Sequence, residues 1–395
     1  MLIGQPDPDV RYEPRGALLA NFMRARIILS TALYFAAFGW VATQQLAVAD
    51  DGTIALRPLA EIHGLRIGTA LSPAGMTDDP YLTSLTRHFS LVVPEYGMYM
   101  SELQAAPDRW DFAKADAVVG FAVSHGLKLR GHALIWGLPT ASSNPFGGWT
   151  PTPRWLHEGA LSRDDAIRIM RRHIETVMSC YQGRVNEWVV VTEALGPRNV
   201  DGMMLSPTVW LDRIGPDYIK LAFQHARKID PDAVLILNDY GADYFGQDGG
   251  GGRVDTYYDL VVRLLEDGAP IDGIGFQFHL KAGRDTPRVD QIIDNMARYQ
   301  GLGLSTHITE LDARIQAPVT DAKLSQQAQL YETVTRAAIV NGAVKDIVLW
   351  GFTDRYSWIT AGETFPDHPV GVIMDDNLRP WPSFHAMGEA LRGPQ

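Results

Sequence analysis

The chain has 395 residues, 46 of them acidic and 35 basic, which gives a formal net charge of −11 and excludes a general nucleic-acid surface, since such a surface is basic. Hydrophobic residues make up 46% and charged residues 21%, which is typical of a soluble protein with a large core. The single cysteine, Cys180, excludes an intramolecular disulfide and a cysteine-based zinc site.

The amino-terminal 49 residues have the pattern of an export signal. Arg24 and Arg26 precede an apolar stretch from 27 to 43, and Ala47-Val48-Ala49 follows as a small-residue cleavage site. We therefore expect a secreted or periplasmic protein. The apolar stretch is also nearly long enough to span a bilayer, so an uncleaved signal anchor that keeps the exported protein at the membrane is the alternative.

The remaining chain divides into a short connector, residues 50–61, and one predicted domain, residues 62–395. Strand-like and helix-like segments alternate through that domain. Most strand candidates are continuous apolar runs, as expected for parallel strands covered on both faces. The predicted strands are Leu65–Leu71, Phe89–Val93, Leu127–Leu134, Glu187–Thr192, Ala233–Leu237, Ile271–Phe278, Leu304–Thr309 and Asp346–Phe352.

Helix candidates with apolar residues three and four apart separate these strands. They are Phe112–His125, Arg163–Tyr181, Leu211–Ile229, Val254–Asp267, Val289–Gln300, Asp321–Asn341 and Phe384–Leu391. Eight strands alternating with helices in about 330 residues predict an α/β fold of the (β/α)8 TIM-barrel type, as a single catalytic domain. A doubly wound open sheet is the alternative, although no nucleotide-binding fingerprint follows the first strand.

Glu193 and Glu310 each close a predicted buried strand. A charged residue at that position projects into the mouth of the sheet, and the carboxyl ends of barrel strands are where catalytic groups lie. Two carboxylates facing each other there suit the hydrolysis of a glycosidic bond. This chemistry needs no metal or organic cofactor, so none is expected; the expected partner is a polysaccharide or oligosaccharide substrate.

Polar and aromatic groups accumulate at the same level of the other strands. The strand-end segments are Val93-Pro94-Glu95-Tyr96-Gly97-Met98-Tyr99, Gly131-His132-Ala133-Leu134-Ile135-Trp136-Gly137, Thr192-Glu193, Asn238-Asp239-Tyr240, Gly275-Phe276-Gln277-Phe278-His279, Ile308-Thr309-Glu310-Leu311-Asp312 and Trp350-Gly351-Phe352-Thr353-Asp354 with Ser357-Trp358. Together these segments resemble glycoside hydrolase family 10, the endo-β-1,4-xylanase family, over roughly residues 62 to 392.

The resemblance implies roles for individual residues. Glu193 is the expected general acid/base, and Glu310 is the expected nucleophile of a retaining mechanism, whose carboxyl groups stand about 5–5.5 Å apart. The implied supporting and sugar-binding residues are Glu95, His132, Trp136, Thr192, Asn238, Gln277, His279, Trp350 and Trp358. Among these, His279 and Gln277 are expected to support the two glutamates.

The chain departs from the family pattern at four positions on the sugar-binding side. Tyr96 and Tyr99 stand where the family has an Asn and a Lys, Gly137 replaces a His, and Thr192 replaces the Asn before the acid/base. We expect Gly137 to open space and the two tyrosines to add aromatic surface, which suits a bulkier or branched glycan.

Three interpretations remain open at this point. The first is a retaining glycosidase, xylanase-like by default. The second is a glycosidase of other specificity that trims a polysaccharide made by the same cell. The third is a glycan-binding barrel without catalysis, because fold alone does not imply function.

Overall fold

A computed structural model describes residues 54–137, 150–247, 252–360 and 365–393. Its strands are β1 Arg66–Leu71, β2 Leu91–Pro94, β3 Lys128–Gly131, β4 Glu187–Thr192, β5 Leu195–Val200, β6 Met203–Leu205, β7 Val234–Asp239, β8 Gly273–Phe276, β9 His279–Lys281, β10 Ser305–Arg314 and β11 Val344–Leu349. Eight of them run parallel in the order β1-β2-β3-β4-β7-β8-β10-β11, and β11 pairs with β1 to close the barrel. This closure confirms the (β/α)8 prediction and excludes the open sheet.

Helices follow the barrel strands and cover the outside of the sheet. Their bounds are Leu56–Ile62, Asp79–His88, Met100–Leu103, Ala113–Ser124, Arg154–Glu158, Arg163–Cys180, Val209–Ile214, Tyr218–Ile229, Arg253–Glu266, Val289–Gly301, Asp321–Asn341 and Pro382–Arg392, with short 3-10 turns at Pro73–Gly75 and Asp354–Tyr356. The prediction of one continuous helix over Leu211–Ile229 was wrong. The segment forms two helices, because Gly215 leaves the helical conformation at φ 93° and Pro216 follows it.

The barrel domain begins earlier than the boundary at residue 62 predicted from the sequence. The helix Leu56–Ile62 lies inside the predicted connector, and its residues Leu56 and Leu59 are fully buried. It packs against the closing helix Pro382–Arg392, where a Cβ at Gly388 would lie 3.2 Å from Ile54. The connector segment is therefore part of the domain from residue 54 onward. The predicted export segment, residues 1–49, lies outside the described residues.

A charged cluster fills the barrel at the amino-terminal ends of the strands. Arg130 on β3 is 1% exposed and donates to Asp346 Oδ2 on β11 at 2.7 Å and to Glu187 Oε2 on β4 at 2.9 Å. Arg66 and His307 also contact Asp346, at 2.7 and 2.9 Å. Burial raises the pKa of Asp346, but the contacts with Arg130, His307 and Arg66 outweigh burial and hold that pKa well below its usual range. The cluster thus ties β1, β3, β4, β10 and β11 together at the end opposite the strand-end glutamates.

Replacing Arg130 with Met is expected to destabilise the fold by about 3–5 kcal/mol, because it leaves Asp346 and Glu187 short of a buried partner. Urea unfolding at pH 7 measures the change. Arg154→Met is the matched control, since Arg154 is 90% exposed beside Glu158, and we expect it to stay within about 0.5 kcal/mol of the native protein. Equal stability of the two variants would show that the cluster is not a structural tie.

Candidate active site

Local backbone irregularities aim the two strand-end glutamates into the barrel mouth. In β10 the pairing with β11 shifts by one residue between Ile308 and Leu311, which is a β-bulge. As a result the neighbouring residues Thr309 and Glu310 both contact the side chain of Asn238, at 2.6 and 2.7 Å. A bulge re-aims side chains that regular alternation would send to opposite faces, and here it places Glu310 in the mouth.

Glu193 reaches the mouth by a comparable route on the other side. The register of β4 against β7 shifts between Val189 and Val191, and Glu193 itself has a left-handed backbone, with φ 57°. Its N–H donates to the carbonyl of Asn238 at 2.9 Å, which anchors this conformation to β7. A non-glycine residue in this region of backbone space costs energy, and such strain clusters at functional sites. The fold therefore holds Glu193 at a fixed point of the mouth.

Glu310 is surrounded by groups that stabilise a negative charge. It is 4% exposed, and its Oε1 accepts a hydrogen bond from Asn238 Nδ2 at 2.7 Å. His279 Nε2 lies 3.2 Å from its Oε2, and His132 Nε2 lies 3.2 Å from its Oε1. Burial raises the pKa of Glu310, but the two histidines outweigh burial and lower the pKa to about 2. Glu310 is therefore ionised at neutral pH.

Glu193 has the opposite electrostatic surroundings. Its carboxyl group accepts from Trp136 Nε1 at 2.9 Å and from Gln277 Nε2 at 3.3 Å, and neither donor is charged. Burial, together with the negative charges of Glu310 and Asp239, raises the pKa of Glu193 to about 7. A carboxyl group that keeps its proton near neutral pH can donate it to a leaving group. The two glutamates are thus divided into a proton donor and an anion.

His279 contacts Asp312 on the side of its ring away from Glu310, and Trp358 contacts Asp312 in turn. Its Nδ1 lies 2.8 Å from Asp312 Oδ2, and Trp358 Nε1 donates to the same oxygen at 2.8 Å. Burial lowers the pKa of His279, but Asp312 and Glu310 outweigh burial and raise that pKa to about 10. Protonated His279 then donates through both ring nitrogens, to Asp312 and to Glu310. Asp312 therefore fixes the orientation of the imidazole that faces Glu310.

Thr192 and Gln277 complete a hydrogen-bonded floor between the glutamates. Thr192 Oγ1 accepts from Asn238 Nδ2 at 3.0 Å and from Gln277 Nε2 at 3.4 Å. Asn238 therefore bridges Thr192 and Glu310, while Gln277 bridges Thr192 and Glu193. This places Thr192 at the centre of the floor, with its hydroxyl already committed to accepting hydrogen bonds.

Aromatic rings form one wall of the mouth. The Tyr99 ring meets those of Trp136, His132 and Tyr96 at centroid distances of 5.2, 5.9 and 6.1 Å. Trp350 joins the same wall, 5.0 Å from the His132 ring, and it packs on the inner apolar layer of the barrel. Trp350 and Tyr99 are buried, whereas Tyr96 and Trp136 are partly exposed. Of the aromatic surface expected from the two tyrosines, Tyr96 is partly exposed, whereas Tyr99 is buried within the wall.

Glu95 follows β2 beneath this wall. It is 2% exposed, and burial raises its pKa to about 8, so the carboxyl group is protonated at neutral pH. Among the described residues its Oε1 has no hydrogen-bond partner. Glu95 is thus a neutral carboxyl group with one unsatisfied oxygen, which is unusual for a buried polar atom.

The expectation that Gly137 opens space is wrong. A Cβ built on Gly137 would lie 2.8 Å from Thr208 Cβ and 3.3 Å from Trp210 Cδ1. Both neighbours are buried, and Thr208 caps the helix Val209–Ile214 through its hydroxyl. The space that a larger residue needs is therefore occupied, and glycine at this position reflects close packing.

The structure thus brings all eleven predicted site residues to the carboxyl ends of the strands or directly behind them. Two further residues of the site were missed, namely Asp312 and Thr309. Both lie in the quoted strand-seven segment, and Asp312 stands two residues after Glu310, so strand alternation could have placed it on the same face. Thr309 could not have been found that way, because it faces the mouth only through the bulge.

Neither a membrane-spanning helix nor a metal-binding cluster occurs among the described residues. No helix in the ranges given above is long and apolar enough to cross a bilayer. The same ranges contain no group of three or more His, Cys, Asp or Glu side chains arranged to hold a metal ion. The chemistry described below uses only the chain's own side chains.

A barrel that places one protonated and one ionised carboxyl group at its mouth defines a glycoside hydrolase. Comparison with known proteins agrees. A model of glycosyl hydrolase family 10 matches residues 55–390. The chain is 31% identical to endo-1,4-beta-xylanase B of Thermotoga neapolitana over 344 residues, which are 86% of this chain and 92% of the relative. The chain belongs to glycosyl hydrolase family 10.

Two further similarities define how far the likeness extends. The crystal structure of xylanase 10B from Thermotoga petrophila RKU-1 in complex with xylobiose matches with a TM-score of 0.76 and 32% identity, covering 86% of this chain and 97% of that one. Endo-1,4-beta-xylanase A of Thermoanaerobacterium saccharolyticum is 28% identical over 89% of this chain, but the match covers only 29% of that longer relative.

Proposed function

We propose that this chain hydrolyses a β-1,4-linked xylan-like glycan with retention of configuration, with Glu310 as nucleophile and Glu193 as general acid/base. The single observation that carries this assignment is the difference in contacts of the two glutamates: Asn238, His132 and His279 contact Glu310, whereas Glu193 accepts from the neutral donors Trp136 and Gln277. These surroundings lower the pKa of Glu310 to about 2, and burial raises that of Glu193 to about 7. A retaining glycosidase needs one carboxylate to attack and one carboxylic acid to protonate the leaving oxygen. The names of the relatives support xylan as the substrate.

In the first step an oxygen of Glu310 attacks C1 of the sugar while the bond from C1 to the glycosidic oxygen breaks. Glu193 gives its proton to that oxygen, and the leaving chain departs as an alcohol. Asn238 and His279 hold Glu310 in place before the attack through their hydrogen bonds, at 2.7 and 3.2 Å. The product of this step is a glycosyl ester of Glu310 and an ionised Glu193.

In the second step ionised Glu193 takes a proton from water as that water attacks C1. The ester bond to Glu310 breaks, the sugar leaves with its original configuration, and both carboxyl groups return to their starting states. Glu193 can play both parts because its pKa lies near neutral pH, where the proton can be gained and lost in turn.

A labelling experiment tests this assignment. The domain is incubated with a panel of aryl 2-deoxy-2-fluoro-β-glycosides, and the protein is then analysed by intact and peptide mass spectrometry. We expect one sugar adduct on the peptide that contains Glu310, and the reacting glycoside names the sugar accepted. In parallel, release of reducing ends from β-1,4-xylan tests the substrate. Saturable oligosaccharide binding without an adduct or turnover would instead support a binding protein.

Thr192 is the residue expected to limit activity on xylan. Hydrogen bonds to the 2-hydroxyl of the reacting sugar strengthen in the transition state. The Thr192 oxygen already accepts from Asn238 and Gln277, so only its single, short O–H is left to meet the sugar. Thr192→Asn supplies an amide donor at this point and is expected to raise kcat/KM on xylan about tenfold or more. Steady-state assays on xylan oligosaccharides measure it.

The control for that prediction is Thr309→Asn, which alters the other hydroxyl that contacts Asn238. We expect lower activity from this change, because it disturbs the hydrogen bond behind Glu310 without adding a donor to the floor. A decrease with Thr192→Asn on every glycan tested would mean that Thr192 is matched to the natural substrate in a way that an amide cannot reproduce.

We further propose that the domain is exported, on the basis of the charged, apolar and small-residue order of residues 1–49. Its substrate is then a glycan outside the cytoplasm, and retention of the segment as an anchor would place the barrel at a membrane surface. Cell fractionation with an antibody to the domain, and amino-terminal sequencing of the exported form, distinguish cleavage after Ala49 from retention.

A further inference from the structure

Strands β9 and β10 continue outward beyond the contact between His279 and Glu310. They pair in parallel with Asp312 opposite His279, Ala313 opposite Leu280 and Arg314 opposite Lys281. Leu280 and Ala313 are fully buried in the core, so the residues on either side of them face the other way. Arg314 and Lys281 therefore stand on the same face as His279 and Asp312, about 7 Å farther out along the strands.

Arg314 holds an unusual position on that face. The residue is only 9% exposed, and its guanidinium carbon lies 4.3 Å from the centre of the Phe365 ring. Within the described ranges its side chain makes no ion pair and no hydrogen bond to another residue. Burial, with a contribution from Arg284, lowers its pKa, although Asp312 and Asp285 oppose that change. An arginine held this way keeps its donors available for a ligand.

Charges of both signs lie around Arg314. Lys281 is its strand partner, while Arg284 follows in the turn after β9 and bonds through its N–H to the carbonyl of Lys281 at 3.1 Å. Lys323 acts with Arg314 and Lys281 to lower the pKa of His368, after the larger effect of burial. The nearby carboxylates are Asp312, Asp367 and Asp285, and the oxygens of Asp285 already accept from Lys281 N and Tyr244. With Arg314 itself, this rim carries four cationic side chains beside three carboxylates.

An unbroken series of rings links this rim to the nucleophile. The His279 ring lies 5.1 Å from Trp358, the Trp358 ring lies 5.2 Å from Phe365, and Arg314 stacks on Phe365. Sugar rings pack on aromatic faces through their apolar surfaces, so such a series can carry a glycan between the two points. A substituent of the chain bound at Glu310 can then reach Arg314.

We propose that Arg314, supported by Lys281, forms a subsite for the carboxylate of a uronic acid carried by the glycan. The planar guanidinium matches a carboxylate with two parallel hydrogen bonds, and partial burial strengthens them. The substrate class is therefore an acidic β-glycan, with the uronate engaging the rim while the neutral backbone is cleaved at Glu310. This inference rests on the proposed function and specifies its substrate.

The test compares two substrates that differ only in the carboxylate. Glucuronoxylan oligosaccharides are assayed beside the same material after reduction of its uronates to neutral sugars. The native protein is expected to show a kcat/KM about tenfold higher on the acidic form. Arg314→Gln is expected to remove that preference while leaving kcat/KM on the reduced form within about twofold. Arg314→Lys, which keeps the charge but not the planar fork, should fall between them.

Arg298→Gln is the matched control, because Arg298 stacks on the Tyr258 ring at 4.1 Å on an outer helix. It is expected to leave the kinetics on both substrates unchanged.

Equal loss of kcat/KM on both substrates in Arg314→Gln, or no preference for the acidic substrate in the native protein, would overturn the subsite. If the native protein cleaves neither substrate, the xylan assignment fails. The subsite is then tested by calorimetry, which measures binding of the acidic oligosaccharide to the Glu310→Gln variant and to the double variant Glu310→Gln with Arg314→Gln. Loss of binding in the double variant supports the subsite, and equal binding to the two variants overturns it.

Discussion

Glu310→Gln is expected to lower kcat by more than about 10⁴-fold on any glycoside that the domain cleaves, because the covalent intermediate cannot form without the nucleophile. The amide keeps the shape of the side chain, and its one oxygen can accept from either Asn238 or His279, but it cannot form the glycosyl ester. Initial rates from reducing-end release measure the loss. The same variant should give no adduct with the 2-fluoro glycosides, while its melting temperature stays close to that of the native protein.

The control for this change is Glu332→Gln, an exposed glutamate on the helix Asp321–Asn341 that pairs with Arg336. It carries the same chemical substitution away from the barrel mouth and is expected to leave the rate unchanged. Residual activity above about one tenth of native in Glu310→Gln would refute its role as nucleophile. An adduct found on another carboxylate would identify the group that replaces it.

The pH dependence of kcat/KM is expected to be limited by the same two carboxyl groups in opposite directions. Glu193 must be protonated to act as acid, so activity falls as pH rises through about 7. Glu310 must be ionised to attack, so activity falls only as pH drops towards about 2. The profile should therefore be flat over the acidic range, with its alkaline limb near neutrality.

Glu193→Gln isolates the alkaline limb. The variant is expected to lose about 10²–10⁴-fold on xylan oligosaccharides, because the leaving sugar then departs without a proton. On a dinitrophenyl glycoside, whose leaving group needs no proton, adduct formation at Glu310 should continue at a rate independent of pH between 5 and 9. An alkaline limb that persists in this variant would assign the titration to another group, with Glu95 the first alternative, since its pKa is about 8.

The catalytic assignment depends on an electrostatic asymmetry that is built from several strands. His132, Asn238 and His279 surround Glu310, whereas Glu193 meets only the neutral donors Trp136 and Gln277. Asp312 contributes from behind by raising the pKa of His279. Because these groups come from separate strands, a change in any one of them alters the balance between the two glutamates. The charged cluster around Arg130 secures the strands at the far end of the barrel.

Several features could be predicted from the sequence because they depend on local patterns. The apolar runs that end in Glu193 and Glu310 indicated buried parallel strands with a reactive residue at the carboxyl end. Glu193 directly follows β4, whereas β10 continues past Glu310 to Arg314, so the predicted end of that strand was wrong. The capping box at the start of the helix Arg163–Cys180 is another short-range pattern, since Ser162 is followed three residues later by Asp165. Such features involve neighbours in the chain, so periodicity and spacing are sufficient to find them.

Other features depended on contacts between residues far apart in the chain. Gly137 was expected to open a space, but Thr208 and Trp210, some seventy residues later, occupy it. The hairpin of β5 and β6 after Glu193 was not predicted from the sequence. Its two strands pair with each other, but their residues show no strong local pattern that indicates strands. The rim at Arg314 was also missed, since Lys281 lies beside Arg314 only when β9 and β10 pair, and Phe365 reaches it from a later loop.

The sequence by itself determined that two glutamates follow two buried apolar runs of a barrel, because the apolar runs and the residues that follow them are local properties. Only the tertiary structure decided which glutamate carries a proton. That choice follows from the groups around each carboxyl group, which are His132 and His279 beside Glu310, and Asp239 and Glu310 beside Glu193. A pKa depends on the burial of the group and on its distance from other charges, and neither can be read from the order of residues along the chain.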